Sequence, residues 1–259
     1  MSDAIKQVAK YYDERTKNSD NIDAAGQWQP KELVSEICQE ISKKIGIKHD
    51  DRVLEIGCGS GVLGDHIIKN ISFYVGVDIS FMMLKKFLEL PINENKPNLI
   101  QSTADEIPIL NNFFSIIILN SITMYFPNKE YLKKTLREIE RVACPSATIF
   151  IGENSVPERY YYEFAWFQNL GIVGQTFAKP YIRIRKWLAK TSPRLAGKWK
   201  NAYMEISPQF IIKYFTEKGD VSVSDAAAYT IRKRVFGKNC KGNRRMDFII
   251  RLCKSKSNV

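Results

Sequence analysis

Apolar residues recur along this chain with two different periods, and the switches between them divide it into elements. Residues 4 to 17 set Ile5, Val8, Ala9 and Tyr12 at helical spacing, which predicts a short amphipathic helix with a mobile polar exit through Asp23. From Pro30 to Ile45 the apolar positions Leu33, Val34, Ile37, Cys38, Ile41 and Ile45 keep the i, i+3, i+4 rule, and Pro30 suits a first turn. Gly46 ends that helix. The continuous runs Val53 to Ile56, Tyr74 to Val77, Phe113 to Leu119 and Ala147 to Ile151 read instead as strands, apolar enough at successive positions to be buried on both faces of a parallel sheet. Between them, helical spacing returns after Gly61, again from Ser80 to Leu88 before Pro91, and again from Lys129 to Val142. Asn98-Leu99-Ile100-Gln101 is a short third strand.

Beyond strand five the alternation stops. Residues 155 to 206 hold a dense set of aromatics, Tyr160, Trp166, Phe177, Trp187 and Trp199 among them, and the 181–200 stretch carries basic flanks around Trp187 in the manner of an interfacial helix. A helix from Ser207-Pro208 through Phe215, closed by Gly219, is followed by two predicted strands, Val221 to Tyr229 and Met246 to Cys253, joined by a basic loop from Arg232 to Arg245. The expected division is a helical cap over 1–45, a core over 46–154, an insert over 155–206 and a closing helix with two strands over 207–259.

The chemistry concentrates in Val53-Leu54-Glu55-Ile56-Gly57-Cys58-Gly59-Ser60-Gly61, a strand that ends in glycines at alternate positions. Glycine suits a sharp turn there because it reaches dihedrals closed to other residues and lets a ligand approach the main chain. Gly59-Ser60-Gly61-Val62-Leu63-Gly64 also satisfies the dinucleotide fingerprint, so a nicotinamide dehydrogenase is a competing reading. Glu55 separates the two. A carboxylate inside a strand is costly without a cation or donor to answer it. It repels a pyrophosphate and suits an amino group.

On these residues the chain resembles the class I S-adenosylmethionine-dependent methyltransferases, whose motif I matches Val53 to Gly61. The resemblance covers about the middle hundred residues and is nearest the small-molecule branch that includes quinone and natural-product methyltransferases. It implies an α/β doubly wound, Rossmann-like sheet of seven strands with the last antiparallel, a helical N-terminal cap and a substrate lid after strand five. It implies S-adenosyl-L-methionine as cofactor, held by Glu55, Gly57, Cys58 and Gly59, by Asp78 on the ribose hydroxyls, and by Asp105, with Glu106 beside it, on the adenine amino group. Asn120 would leave strand four beside the reacting methyl group. Ile79 and Met83 become adenine-face contacts, and Tyr12 and Trp28 caps of the methionine end. Where the acceptor needs a general base, the candidates are Glu153, Tyr125 and His66, in that order.

Composition narrows the remainder. At 44% hydrophobic over 259 residues the chain can bury a sizeable core. No apolar run approaches the roughly 18 to 20 residues of a membrane span. Met1 to Lys6 lacks a signal-peptide core, so a cytoplasmic setting is expected, with peripheral membrane contact through 181–200. Five cysteines form no CxxC pair, and His49 and His66 stand at no ligand spacing, so no metal site is expected. Of the charged residues, 20 Lys and Arg stand against five Asp and Glu between 179 and 259. That asymmetry implies an anionic partner or a merely solvated surface. A hydrophobic, anionic or lipid-like small molecule is the expected acceptor. Nucleic acid is disfavoured because Ser121-Ile122-Thr123 follows Asn120 where amino-group nucleic-acid methyltransferases carry a Pro-Pro-aromatic motif. The rival from another class is a non-catalytic module that keeps the scaffold and binds an anionic membrane or RNA through 179–259.

Overall fold

Buried on both faces, β1 (Arg52–Ile56) forms the middle of a seven-stranded sheet. Val53 and Glu55 turn to one side, Leu54 and Ile56 to the other, as the two-residue strand period requires. It pairs in parallel with β2 (Phe73–Asp78) and β4 (Phe114–Asn120). Outward from these lie β3 (Asn98–Gln101) on one flank and β5 (Ala143–Ser155) on the other. β7 (Arg245–Leu252) runs antiparallel to both β5 and β6 (Gly219–Asp225), completing the order β3-β2-β1-β4-β5-β7-β6. The expected seven-stranded sheet with its antiparallel last strand is therefore present. The computed structural model describes residues 2–24, 31–92, 96–156, 204–237 and 245–253.

Helices cover both faces. α3 (Lys31–Ile45), α4 (Val62–Ile68) and α5 (Phe81–Leu88) bury Ile37, Ile41, Ile67 and Phe87 against Val53, Ile116 and Phe150. α6 (Lys129–Val142) and α7 (Pro208–Phe215) bury Leu136, Ile139, Ile211 and Phe215 against Leu54, Ile117 and Ile149 on the opposite face. α1 (Asp3–Arg15) lies over the end of the sheet, joined by a 3₁₀ turn (Thr16–Asn18) to the short α2 (Asn21–Ala24).

Three sequence expectations need correction. The strand predicted over 221–229 ends at Asp225, and α8 (Ala227–Phe236) follows in place of the strand's end and the start of the basic loop. Asp247 accepts the Ala227 N–H at 2.9 Å, and Ala227, Ala228 and Ile231 pack against α3, so burial selects a helix from a stretch without apolar periodicity. β5 begins at Ala143, directly from α6, so Cys144-Pro145 belongs to an irregular strand start where Ser146 takes φ +71°. The exit of α1 is pinned: Asn21 donates to the Ser60 carbonyl at 2.8 Å and accepts the Ser60 hydroxyl at 2.5 Å. The aromatic insert lies outside the described residues apart from its ends, as does the 181–200 stretch. No described helix is long and apolar enough to cross a membrane.

Gly61 links this packing to the site. It enters α4 at φ +83°, and a Cβ there would stand 2.1 Å from the fully buried ring of Phe87. Gly61→Ala combines left-handed strain with overpacking and is expected to destabilise the fold by about 3 kcal/mol. Thermal denaturation beside the wild type measures it; an unchanged midpoint contradicts the packing described.

Candidate functional site

The strand order reverses between β1 and β4, and in open α/β sheets ligands bind outside the carboxyl ends of the strands at such a point. A cavity of about 960 Å³, its open mouth included, lies there. Its floor is the turn after β1, where the N–H groups of Gly57 and Cys58 both donate to the Val77 carbonyl, at 2.6 and 3.1 Å. Gly57 and Gly59 take φ +75° and +53°. A Cβ on Gly57 would strike Ile122 at 2.3 Å, whereas one on Gly59 would meet no atom of the described residues within 4 Å. The main chain at Gly59 thus borders open cavity, where a bound group can lie directly on it.

Two carboxylates flank this turn. Asp78, at the end of β2, accepts the Gly59 N–H on Oδ2 and the Ser80 N–H on Oδ1, each at 2.8 Å. Burial raises its pKa and the backbone donors oppose that rise. Each oxygen keeps a lone pair, so the oriented carboxylate fits a pair of adjacent hydroxyls. Glu55 is only 4% exposed yet lines the cavity. It accepts the Tyr74 hydroxyl at 2.6 Å, and burial pushes its carboxyl up to about 8. A desolvated acid held by one phenol fits an incoming ammonium. Asn120 leaves β4 with a buried Oδ1 that has no hydrogen-bond partner among the described residues, again at the cavity wall.

α1 roofs the cavity with Ile5, Val8 and Tyr12. Asp13 fastens it by accepting the Ser80 hydroxyl at 2.5 Å and the Met82 N–H at 3.2 Å. Tyr12 meets Tyr125 edge to face, with ring centroids 5.6 Å apart, and burial pushes its hydroxyl upward, so that it stays a neutral phenol. Tyr125 rides on the 3₁₀ turn Thr123–Tyr125, which Thr123 ties to β5 by donating to Asn154 at 2.6 Å. Asn21→Ala removes one strap between this roof and the glycine loop. A strap of this kind contributes about 1 kcal/mol, so about fivefold weaker ligand binding in the cavity, with little change in melting temperature, is expected by calorimetry.

Glu55, Gly57, Cys58, Gly59, Asp78, Ile79, Met83, Asn120, Tyr12 and Tyr125 come together around this single cavity. Asp105 and Glu106 do not. They line a neighbouring cleft with Pro127, Asn128, Glu130 and Lys134, while Ser102, Thr103 and Ala104 face the cavity in their place. The main chain turns between Thr103 and Glu106, which bridge to each other, and Asp105 accepts a hydrogen bond from Tyr131, a residue that lines both the cavity and the neighbouring cleft. His66 lies half-buried on α4 and is absent from the cavity wall; burial lowers its pKa. Glu153 also stands outside the cavity, paired with Arg245 at 3.3 Å. Trp28 lies outside the described residues. The sequence reading missed Ser102 to Ala104 and the roof residues Ile5 and Val8; the latter were signalled by the apolar stripe they share with Tyr12.

Comparison with known proteins agrees with this geometry. Residues 54–151 match the model of a family described as a methyltransferase domain. Peramine synthetase ppzA of Metarhizium rileyi is 27% identical over 151 residues, which cover 55% of this chain and 5% of that protein. The chain thus spans about a twentieth of the length of that curated relative. Phosphoethanolamine N-methyltransferase 1 of Haemonchus contortus, solved with phosphoethanolamine and S-adenosylhomocysteine, superposes with a TM-score of 0.69 at 11% identity, over 99% of this chain and 50% of that one. The N-methyltransferase NodS of Bradyrhizobium japonicum, solved with S-adenosylhomocysteine, gives 0.58 at 10% identity over 94% and 97%. At these identities the superpositions speak for the fold.

Proposed function

We propose that this protein, whose residues 54–151 match a family described as a methyltransferase domain, binds S-adenosylmethionine in the β1–β4 cavity and methylates an O, C or N atom of a hydrophobic small molecule. The observation that carries this reading is the joining, in one cavity, of an ammonium-seeking carboxylate to a diol-seeking one. Glu55 stands at one side of the open main chain of Gly59, and Asp78 is hydrogen-bonded to that same residue. The cofactor carries an amino group at one end and a ribose diol further along, so this donor and acceptor set fits it.

When bound, S-adenosylmethionine supplies a methyl group on a positively charged sulfur, which is already an activated leaving group. The protein's task is then to position and to exclude water. Asp78 fixes the ribose and Glu55 the amino group. Ile79 and Met83 give the adenine an apolar face, and Tyr12, Val8 and Ile5 close the cavity from above. Asn120, Ser121 and Tyr125, at the ends of β4 and its following turn, stand where an acceptor meets the methyl end. The aromatic residues of 155–206 follow β5 in the sequence, and this reading gives them the role of an acceptor lid. The relatives' names support a small-molecule acceptor, and the basic excess of 179–259 supports one with negative charge away from the reacting atom.

Release of labelled S-adenosylhomocysteine from methyl donor, screened against hydrophobic amines, phenols and acids, tests the proposal. Acceptor-dependent release is expected. Salt-sensitive binding to anionic vesicles or RNA, with no affinity for the cofactor, contradicts it and favours a non-catalytic module.

A further inference from the structure

The pairing of β4 with β5 ends with Asn120 opposite Gly152, and the next residue in each segment is not glycine yet adopts a left-handed backbone: Ser121 at φ +61° and Glu153 at φ +55°. Such conformations are strained for residues with a side chain and persist only where surrounding contacts hold them. The contacts are present. Ser121 N–H donates to the Gly152 carbonyl at 3.0 Å, and Glu153 N–H donates at 2.9 Å to Asp247, which is fully buried. Asp247 is held in turn by Lys44 at 2.8 Å and by the Ala227 N–H. Register shifts between Ile151 and Asn154, so the bulge carries Glu153 out of the regular strand alternation.

The Glu153 side chain does not line the cofactor cavity, but Arg245 joins it to a residue that does. Arg245 donates through the same nitrogen to Glu153 Oε2 at 3.3 Å and to the Ser121 hydroxyl at 3.5 Å, and Ser121 lines the cavity. Its other nitrogen lies 3.8 Å from the Met124 sulfur. Arg245 therefore answers one carboxylate oxygen of Glu153. The other, Oε1, is buried and has no hydrogen-bond partner among the described residues, although Glu153 is only 8% exposed. A buried acceptor without a donor is rare in native structures. Here it belongs to a carboxylate that shares the Arg245 guanidinium with Ser121, a residue of the cavity wall.

Resting on the methyltransferase reading above, we propose that Ser121, Glu153 and Arg245 form the acceptor subsite, and that the acceptor presents an N–H or O–H donor to Glu153 Oε1. Arg245 and Asp247 are positioning residues: the first orients the carboxylate and the second holds the bulge. This specifies the substrate class more narrowly. An amine or hydroxyl satisfies Oε1, whereas a carboxylate brings no proton and adds like charge, so negative charge on the acceptor must lie away from this contact. A site built around a buried acceptor rejects analogues lacking the donor far more strongly than it rejects a change of apolar bulk.

Three probes of similar size distinguish these arrangements: phenethylamine, 2-phenylethanol and 3-phenylpropionate, titrated into the full chain saturated with S-adenosylhomocysteine. The amine and the alcohol are expected to bind at least tenfold more tightly than the propionate, and Glu153→Gln to shrink that gap to threefold or less while S-adenosylhomocysteine affinity is unchanged. Arg245→Met is expected to preserve the preference for the amine, which separates selection by Glu153 from selection by Arg245. Tighter binding of propionate that disappears in Arg245→Met overturns the proposal in favour of an anion site. So does the absence of binding by all three probes, or a gap untouched in Glu153→Gln. Failure of S-adenosylhomocysteine itself to bind counts against the cofactor reading, and the probe preferences are then read on the chain alone.

Discussion

Asp78→Ala is expected to weaken S-adenosylhomocysteine binding at least a hundredfold in calorimetric titration while the chain stays folded. Two losses combine. The ribose hydroxyls lose a charged acceptor, for which hydrogen bonds contribute about 1.5–3 kcal/mol each. The Gly59 and Ser80 N–H groups lose the oxygens that hold the glycine loop and the start of α5 in register. Asp78→Asn is nearly isosteric but is expected to fall almost as far, because its amide must turn a donor toward one of those two N–H groups. A loss of less than threefold in either variant places the ribose elsewhere.

Glu55→Gln is expected to move stability and affinity in opposite directions. In the folded chain without ligand, burial holds the Glu55 carboxyl up to about 8, against an ordinary value of 4.5; the Asp78 charge adds to the rise and the Tyr74 hydrogen bond opposes it. The folded state therefore binds this proton more tightly than the unfolded chain does. Stability associated with the neutral acid is fully present below the unfolded value and is lost as pH rises through the folded one. Glutamine removes that loss. The variant should gain on the wild type as pH goes from 5 to 9, by on the order of 3 kcal/mol at the upper end. Asp247, raised to about 6 by burial, slopes the same way in both proteins and cancels in the difference. Affinity for S-adenosylhomocysteine should instead drop tenfold or more, since the ammonium loses its counter-charge. At pH 7 the wild type should also release a proton on binding, read as a dependence of the binding enthalpy on buffer ionisation heat. Equal melting curves across pH, or proton release that persists in the variant, contradict this assignment.

Much of this site is local, and local features are what a sequence displays. Glu55, Gly57, Gly59 and Asp78 sit within one strand-turn unit or at the end of the next strand, so spacing alone brings them together. The α1 stripe of Ile5, Val8 and Tyr12 was equally visible, because a helix declares its buried face by period. What escaped depends on direction within irregular backbone. Asp105 and Glu106 directly follow Ser102, Thr103 and Ala104, and no periodicity tells which residues of so short a turn line the cavity. His66 is kept from the cavity by the face of α4 that packs on the sheet, a matter of tertiary contact. Glu153 was recognised as a candidate, but its true neighbours depend on a β-bulge and on Arg245 and Asp247, 92 and 94 residues further along. α8 was hidden by Ala226-Ala227-Ala228, which offers no apolar contrast to read and becomes helical through packing against α3.

The central claim is that the cavity between β1 and β4 is a cofactor site, and calorimetric titration of the full chain with S-adenosylmethionine and S-adenosylhomocysteine tests it most directly. The account predicts one-to-one binding of both ligands in the micromolar range. Adenosine should bind more weakly, because it lacks the amino group that Glu55 answers. No heat and no thermal stabilisation with either ligand, or adenosine binding as tightly as S-adenosylhomocysteine, would contradict it.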